Sequence, residues 1–138
     1  MTTAPQHLSV MRPFRRPWLW LSLWLLLFVL VAVGSLMSPD KLPPVDISGF
    51  DKVQHFVGYA VLSAGAVALF ARLRTQALIA LVIIGFGIGL EFAQASLTTD
   101  RMGDVADALA NSLGVLGGLL LSSTPAARWL QRLDARLP

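Results

Sequence analysis

Asp104-Val105-Ala106-Asp107-Ala108-Leu109-Ala110-Asn111 sets two carboxylates and a carboxamide at helical spacing inside an otherwise apolar segment. On a helix, steps of three and four residues stay on one face. Asp104, Asp107 and Asn111 therefore form a stripe, and the same steps add Gly114 and Gly118 to it. Small residues let helices approach and polar ones need protein partners, so this stripe belongs in the interior of a membrane helix bundle rather than against lipid. The rest of the chain must supply the partners.

Of the 138 residues, 55% are hydrophobic and 14% charged, which fits one domain with the membrane as its solvent. The absence of cysteine removes disulfides and thiolate metal sites. A sequence pI of about 10.2 invites a nucleic-acid reading. The arginines, however, cluster at the ends of apolar runs, as topology control by basic loops requires, and no nucleic-acid partner is expected.

Residues 1–17 read as a polar cytosolic tail carrying Arg12, Arg15 and Arg16. Residues 18–122 read as an all-α, polytopic four-transmembrane-helix bundle, with helices at about 18–37, 51–71, 77–96 and 104–122. The first run, at 1.5 Å per residue, is about 30 Å long, the thickness of a bilayer core. It also exceeds the usual apolar core of a cleaved signal peptide, about 7–15 residues. Pro39, Pro43, Pro44 and Gly49 mark an external loop over 38–50. Arg72 to Gln76 reads as a cytosolic turn, and 97–103 as a second external loop. Residues 123–138 form a basic cytosolic tail, read either as a short interfacial helix with Trp129, Leu130, Leu133 and Leu137 or as a frayed end.

Basic residues orient this arrangement. Arg12, Arg15, Arg16, Arg72, Arg74, Arg128, Arg132 and Arg136 lie on the side of the termini, against Lys41, Lys52 and Arg101 opposite. Both termini are therefore expected in the cytosol. Asp40, Asp46, Asp51, Glu91, Asp100, Asp104 and Asp107 fall on or near the external side, with Asp134 the exception. Acids contribute little to topology, so their gathering needs a separate explanation.

Depth along each helix offers one. Measured from the external ends, His55, Glu91 and Asp107 lie at about 6, 7.5 and 4.5 Å, and Tyr59 and Asn111 deeper, at about 12 and 10.5 Å. Lys52, His55 and Tyr59 share a face of the second helix, while Glu91 and Gln94 are three apart on the third. An intramembrane carboxylate costs about 2.5–3.5 kcal/mol at mid-depth and less near an interface. The apolar residues of the fourth helix return about 2.4–4.8 kcal/mol, so its insertion is close to break-even and depends on partners. Each member also has a plainer role. His55 can be a satisfied core histidine, Tyr59 an interface residue and Lys52 a snorkelling charge. Asp51 and Asp104 can be helix caps, and Arg101 a loop charge or a neutraliser of the acids.

The ordered set Asp51-Lys52-x-x-His55-Phe56-x-x-Tyr59, Glu91-x-x-Gln94 and Arg101-x-x-Asp104-x-x-Asp107-x-x-x-Asn111-x-x-Gly114 resembles the VanZ-like family of membrane proteins, over about residues 40 to 121. The resemblance implies a bacterial cytoplasmic-membrane protein of several helices, linked through its named member to glycopeptide (teicoplanin-type) resistance. This chain is a minimal four-helix form of that pattern.

An outward-facing acidic pocket would engage the head group of a lipid-linked or cell-envelope molecule, its acyl chains remaining among the membrane lipids. In an enzymatic version Glu91 or Asp107 acts with His55 as acid and base. Lys52 and Tyr59 donate to an anionic group, Asn111 orients a carboxylate, and Gln94, Arg101 and Asp104 complete the binding residues. In a binding or shielding version the same residues act without turnover. The cofactor is left open, and His55, Glu91, Asp104 and Asp107 form a sensible N,O donor set for zinc, manganese or magnesium. Gly114-x-x-x-Gly118 suits a homo-oligomer as well as the bundle itself.

Overall fold

The computed structural model of the chain describes residues 10–37, 48–97 and 103–138, and every regular element among them is helical. They are α1 (Pro17–Leu36), α2 (Phe50–Leu69), α3 (Leu73–Leu97), α4 (Val105–Leu119) and α5 (Trp129–Arg136). Two 3-10 turns, Leu120–Ser123 and Pro125–Arg128, carry the chain from α4 into α5. Pro17–Leu36, Leu73–Leu97 and Val105–Ser123 are long and apolar enough to cross a membrane. Helix α2 has the length of α1, but Asp51, Lys52, Gln54 and His55 make its first half polar.

Helix α2 lies at the centre. Gly114 and Gly118 of α4 bring that helix against the α2 backbone: a Cβ on Gly118 would stand 2.5 Å from the Ala60 carbonyl oxygen, and one on Gly114 would overlap that of Phe56. The seam is tied by Ser63 Oγ, which donates to the Val115 carbonyl at 2.7 Å. On the opposite side Trp24 of α1 lies over Gly65 and donates its indole N–H to the Leu62 carbonyl at 2.9 Å. Trp24, Phe28 and Phe86 then continue edge-to-face, linking α1 to α3 with centroid separations of 5.0 and 5.2 Å. Tyr59, Leu62, Leu69, Ile83 and Val115 fill the buried middle. Large apolar side chains such as Leu30, Leu81, Val82, Phe92 and Leu113 point outward, an arrangement suited to lipid rather than water.

The end of the bundle that holds residues 10–16 and α5 makes more contacts than the polar tails imply. Met11 bridges Phe70 in antiparallel fashion, with Arg12 N–H donating to the Leu69 carbonyl at 2.8 Å and Ala71 N–H to that of Val10 at 3.1 Å. The α2–α3 turn is also shorter than expected. The helix resumes at Leu73, because Arg72 to Gln76 contains no breaker and Gln76 Nε2 satisfies the Phe70 carbonyl at 2.7 Å. Helix α5 forms, and it buries Leu130 and Asp134 against the bundle. Asp134 accepts from Trp20 Nε1 at 2.8 Å and from the Arg15 backbone N–H at 2.5 Å, joining the last helix to the start of α1.

Candidate functional site

The sequence positions Asp51, Lys52 and His55 at the start of α2, Glu91 and Gln94 near the finish of α3, and Asp104, Asp107 and Asn111 at the start of α4. All lie at the end of the bundle away from Met11 and α5. Helix α4 starts there because Asp104 takes extended backbone angles and accepts the Ala106 N–H at 2.8 Å, an N-cap. Asp51 does not cap α2. That position belongs to Gly49, whose φ of +78° suits glycine, and Asp51 lies within the first turn, where its carboxylate takes Lys52 Nζ at 2.9 Å.

Lys52 is the hub of the rim. Its ammonium donates to Asp51 at 2.9 Å, Asp104 at 2.7 Å and Asp107 at 2.5 Å, drawing α2 and α4 together through charge-assisted bonds. Glu91 reaches the same junction from α3, where one carboxylate oxygen accepts the Asp104 backbone N–H at 3.1 Å. Room for this contact comes from Gly103, on which a Cβ would lie 2.7 Å from the Glu91 carbonyl oxygen.

Below the rim, His55 is held on both sides. Its Nδ1 lies 3.0 Å from Asn111 Oδ1, and its Nε2 lies 3.5 Å from Asp107 Oδ2. One donor atom each from His55, Glu91 and Asp107 lies within 4.8 Å of the other two, the one such metal-competent group of three among the described residues. Three helices thus converge on one point. Tyr59 is 1% exposed and packs against Gly87 of α3, and its hydroxyl has no hydrogen-bond partner among the described residues. The Asn111 amide nitrogen is buried and unpartnered in the same sense. Gln94 Nε2 donates to the Ser35 carbonyl at 2.6 Å, which closes α3 onto α1. Arg101 lies outside the described residues.

Cavities flank the cluster on two sides. One, of about 220 Å³, opens between α1 and α2, with Ser35, Gln54, His55 and Tyr59 in its wall beside Leu30 and Val31. The other, of about 270 Å³, runs between α3 and α4 past Glu91 and Asp104 to Phe92 and Val105. Ser35 and Gln54 were not among the residues singled out from sequence. Gln54 immediately precedes His55, and its polarity in an apolar run was the available signal. Chemically the arrangement offers a positioned imidazole, two carboxylates able to exchange a proton with it, and an ammonium at the rim. The chain matches no family model, no curated protein and no solved structure, so these residues and their geometry carry the functional reading.

Proposed function

We propose that the chain is a VanZ-like integral membrane protein of the bacterial cytoplasmic membrane, crossing it four times with both termini in the cytosol. Its polar cluster faces outward and engages the head group of a lipid-linked or cell-envelope molecule. Topology is supported by the contact between the start of α1 and α5. The Arg15 backbone and Trp20 bind Asp134, so the first and last helices have these ends on one side of the bundle. A chain joined in this way crosses an even number of times, and α2 supplies the crossing that the three most apolar helices leave unpaired. The surplus of arginine at that end supports a cytosolic assignment.

The observation that carries the head-group reading is the cavity between α1 and α2. Its wall is polar at Ser35, Gln54 and His55 and apolar at Leu30 and Val31, and it opens toward the exposed apolar faces of the helices. An amphiphile can place its head beside His55 while its chains stay in lipid. In the catalytic form, Asn111 fixes the imidazole and Asp107 or Glu91 shares the proton that His55 gives or takes. Tyr59 then has a hydroxyl free to donate to the bound head. A link to glycopeptide resistance would follow from altering such an envelope molecule.

A non-catalytic reading draws on a different observation: Lys52 joins Asp51, Asp104 and Asp107, so part of the cluster holds α2 to α4. Lipids retained by the purified protein separate a pocket from a brace. Mass spectrometry of wild type and His55→Ala, a change in the wall of the α1–α2 cavity, should show a specific envelope lipid lost from the variant, and equal retention would reject the pocket. Asp107→Asn should then abolish turnover with the fold intact if the carboxylate reacts, and if it only braces, either lose the protein or leave its function unaltered.

A further inference from the structure

The polar cluster contains an arrangement that its own hydrogen bonds do not satisfy. Asn111 presents its carbonyl oxygen to His55 Nδ1 at 3.0 Å, so in the neutral ring that nitrogen carries the hydrogen and Nε2 keeps its lone pair. That lone pair faces Asp107 Oδ2, another acceptor, at 3.5 Å. The separation is too long for a good hydrogen bond. It is close to the edge of a coordination shell, because two donors about 2.1 Å from a tetrahedral ion stand about 3.4 Å apart. The remaining donor pairs also lie within 4.8 Å.

Electrostatics point the same way. Among the described residues this end holds the carboxylates of Asp51, Glu91, Asp104 and Asp107 against the one ammonium of Lys52, a formal excess of three negative charges with His55 neutral. Lys52 is committed to Asp51, Asp104 and one oxygen of Asp107, and the other Asp107 oxygen faces the ring. Two further groups imply an occupant beyond the side chains. The Asn111 amide nitrogen, on a side chain already bonded to His55, is buried without a partner, as is the Tyr59 hydroxyl. Asn111 and Tyr59 are only 2% and 1% exposed. Groups this deep find partners in nearly all native structures, so each is matched by a water or ligand atom beside the cluster.

We propose that His55 Nε2, Glu91 and Asp107 form a three-donor site for a divalent, zinc-class cation, with Asn111 as the outer partner that fixes the imidazole through Nδ1. A histidine whose other N–H is held by a carbonyl group is the usual outer arrangement at such sites. Asp104 is not a ligand: its carboxylate is used by the Ala106 N–H and Lys52. Mixed imidazole and carboxylate donors suit zinc or manganese better than magnesium, and three protein donors leave a position for an outside ligand. Of its three donors only His55 also lines the head-group cavity between α1 and α2, so the site adjoins that pocket and rests on the donor geometry independently of the lipid.

The test uses full-length protein in detergent, stripped with chelator and dialysed against Zn(II), Mn(II) or Mg(II) in turn, with metal counted by mass spectrometry. Wild type and Asp51→Asn should each keep one zinc per chain. His55→Ala and Glu91→Gln should lose it, and Asn111→Ala should bind about 10–100-fold more weakly. Wild type without stoichiometric metal, or ligand variants that keep it, would overturn the proposal. Should those variants fail to fold, histidine ¹⁵N spectra of wild type decide alone: zinc must shift the His55 Nε2 signal while Nδ1 stays protonated, and an unmoved signal rejects the site. Lipid measured in the same preparations keeps the two ideas apart. Metal without lipid refutes only the head-group reading, and lipid without metal refutes only the metal site.

Discussion

Gly114 and Gly118 do as much to build the candidate site as the residues with reactive groups. Both lie on the stripe that runs up from Asp107 and Asn111, and both press α4 onto the backbone of α2 near Phe56 and Ala60. That approach lets Asn111 reach His55 and lets Lys52 reach Asp104 and Asp107. Gly114→Ala puts a methyl group into the Phe56 carbonyl, and neither partner is a flexible chain end. Overpacking of this kind costs about 1–3 kcal/mol. Unfolding measured in detergent should show that loss for Gly114→Ala. Gly85→Ala, where a Cβ meets nothing within 4 Å, should be neutral or slightly stabilising. Equal effects at the two positions would mean that the α2–α4 seam does not set stability.

At the scale of elements, sequence and structure agree best where polarity follows helical period. The stripe on α4 and the Lys52-His55-Tyr59 face of α2 identify the meeting helices, and rise per residue places His55, Glu91 and Asp107 near one depth. Rise gives depth but no rotation about the axis. The pairing of His55 with Asn111, and of Gln94 with Ser35, therefore became visible only in the packed structure. The terminal end was less legible still. Its bridge between Met11 and Phe70 joins distant backbone segments, which leave no periodic mark, and Asp134 stood out only as the acid on the wrong side.

That exception has a consequence for α5. Burial works to raise the Asp134 carboxyl, but hydrogen bonds from Trp20 and the Arg15 and Arg16 backbone, with the Arg16 charge, outweigh it and hold it below its ordinary value of 3.8. A carboxyl lowered by folding stabilises the folded form at pH above its unfolded value, and this contribution is lost as pH falls through the folded value. Docking of α5 should thus be constant through the neutral range and release only in acid, below about pH 4. The Trp20 indole N–H signal in micelles reports it directly, and Asp134→Asn should flatten its acid transition. A transition near neutral pH would show that another group controls the contact.

The whole molecule has two unlike ends. One gathers Arg12, Arg15, Arg16 and Arg128 around a staple of backbone and indole hydrogen bonds, and the other gathers carboxylates around Lys52 and His55. The staple restricts topology, since it places the start of α1 beside α5. Three crossings would put these segments on opposite faces of the membrane and tear the contact between Arg15 and Asp134. Four crossings keep it, provided that α2 spans despite its polar first half. It can do so because α4 and α1 cover it: Leu62, Ala66 and Leu69 are buried in the bundle, and its charges sit at the rim. The chain has no cysteine, so single introduced thiols read the arrangement without background. Ser48 and Ala135 are both exposed, at opposite ends of the bundle. In intact spheroplasts a membrane-impermeant maleimide should label Ser48→Cys. It should label Ala135→Cys and Val10→Cys only after the membrane is opened. Labelling of Val10→Cys and Ala135→Cys from opposite sides would establish an odd number of crossings and separate the two ends that the staple joins.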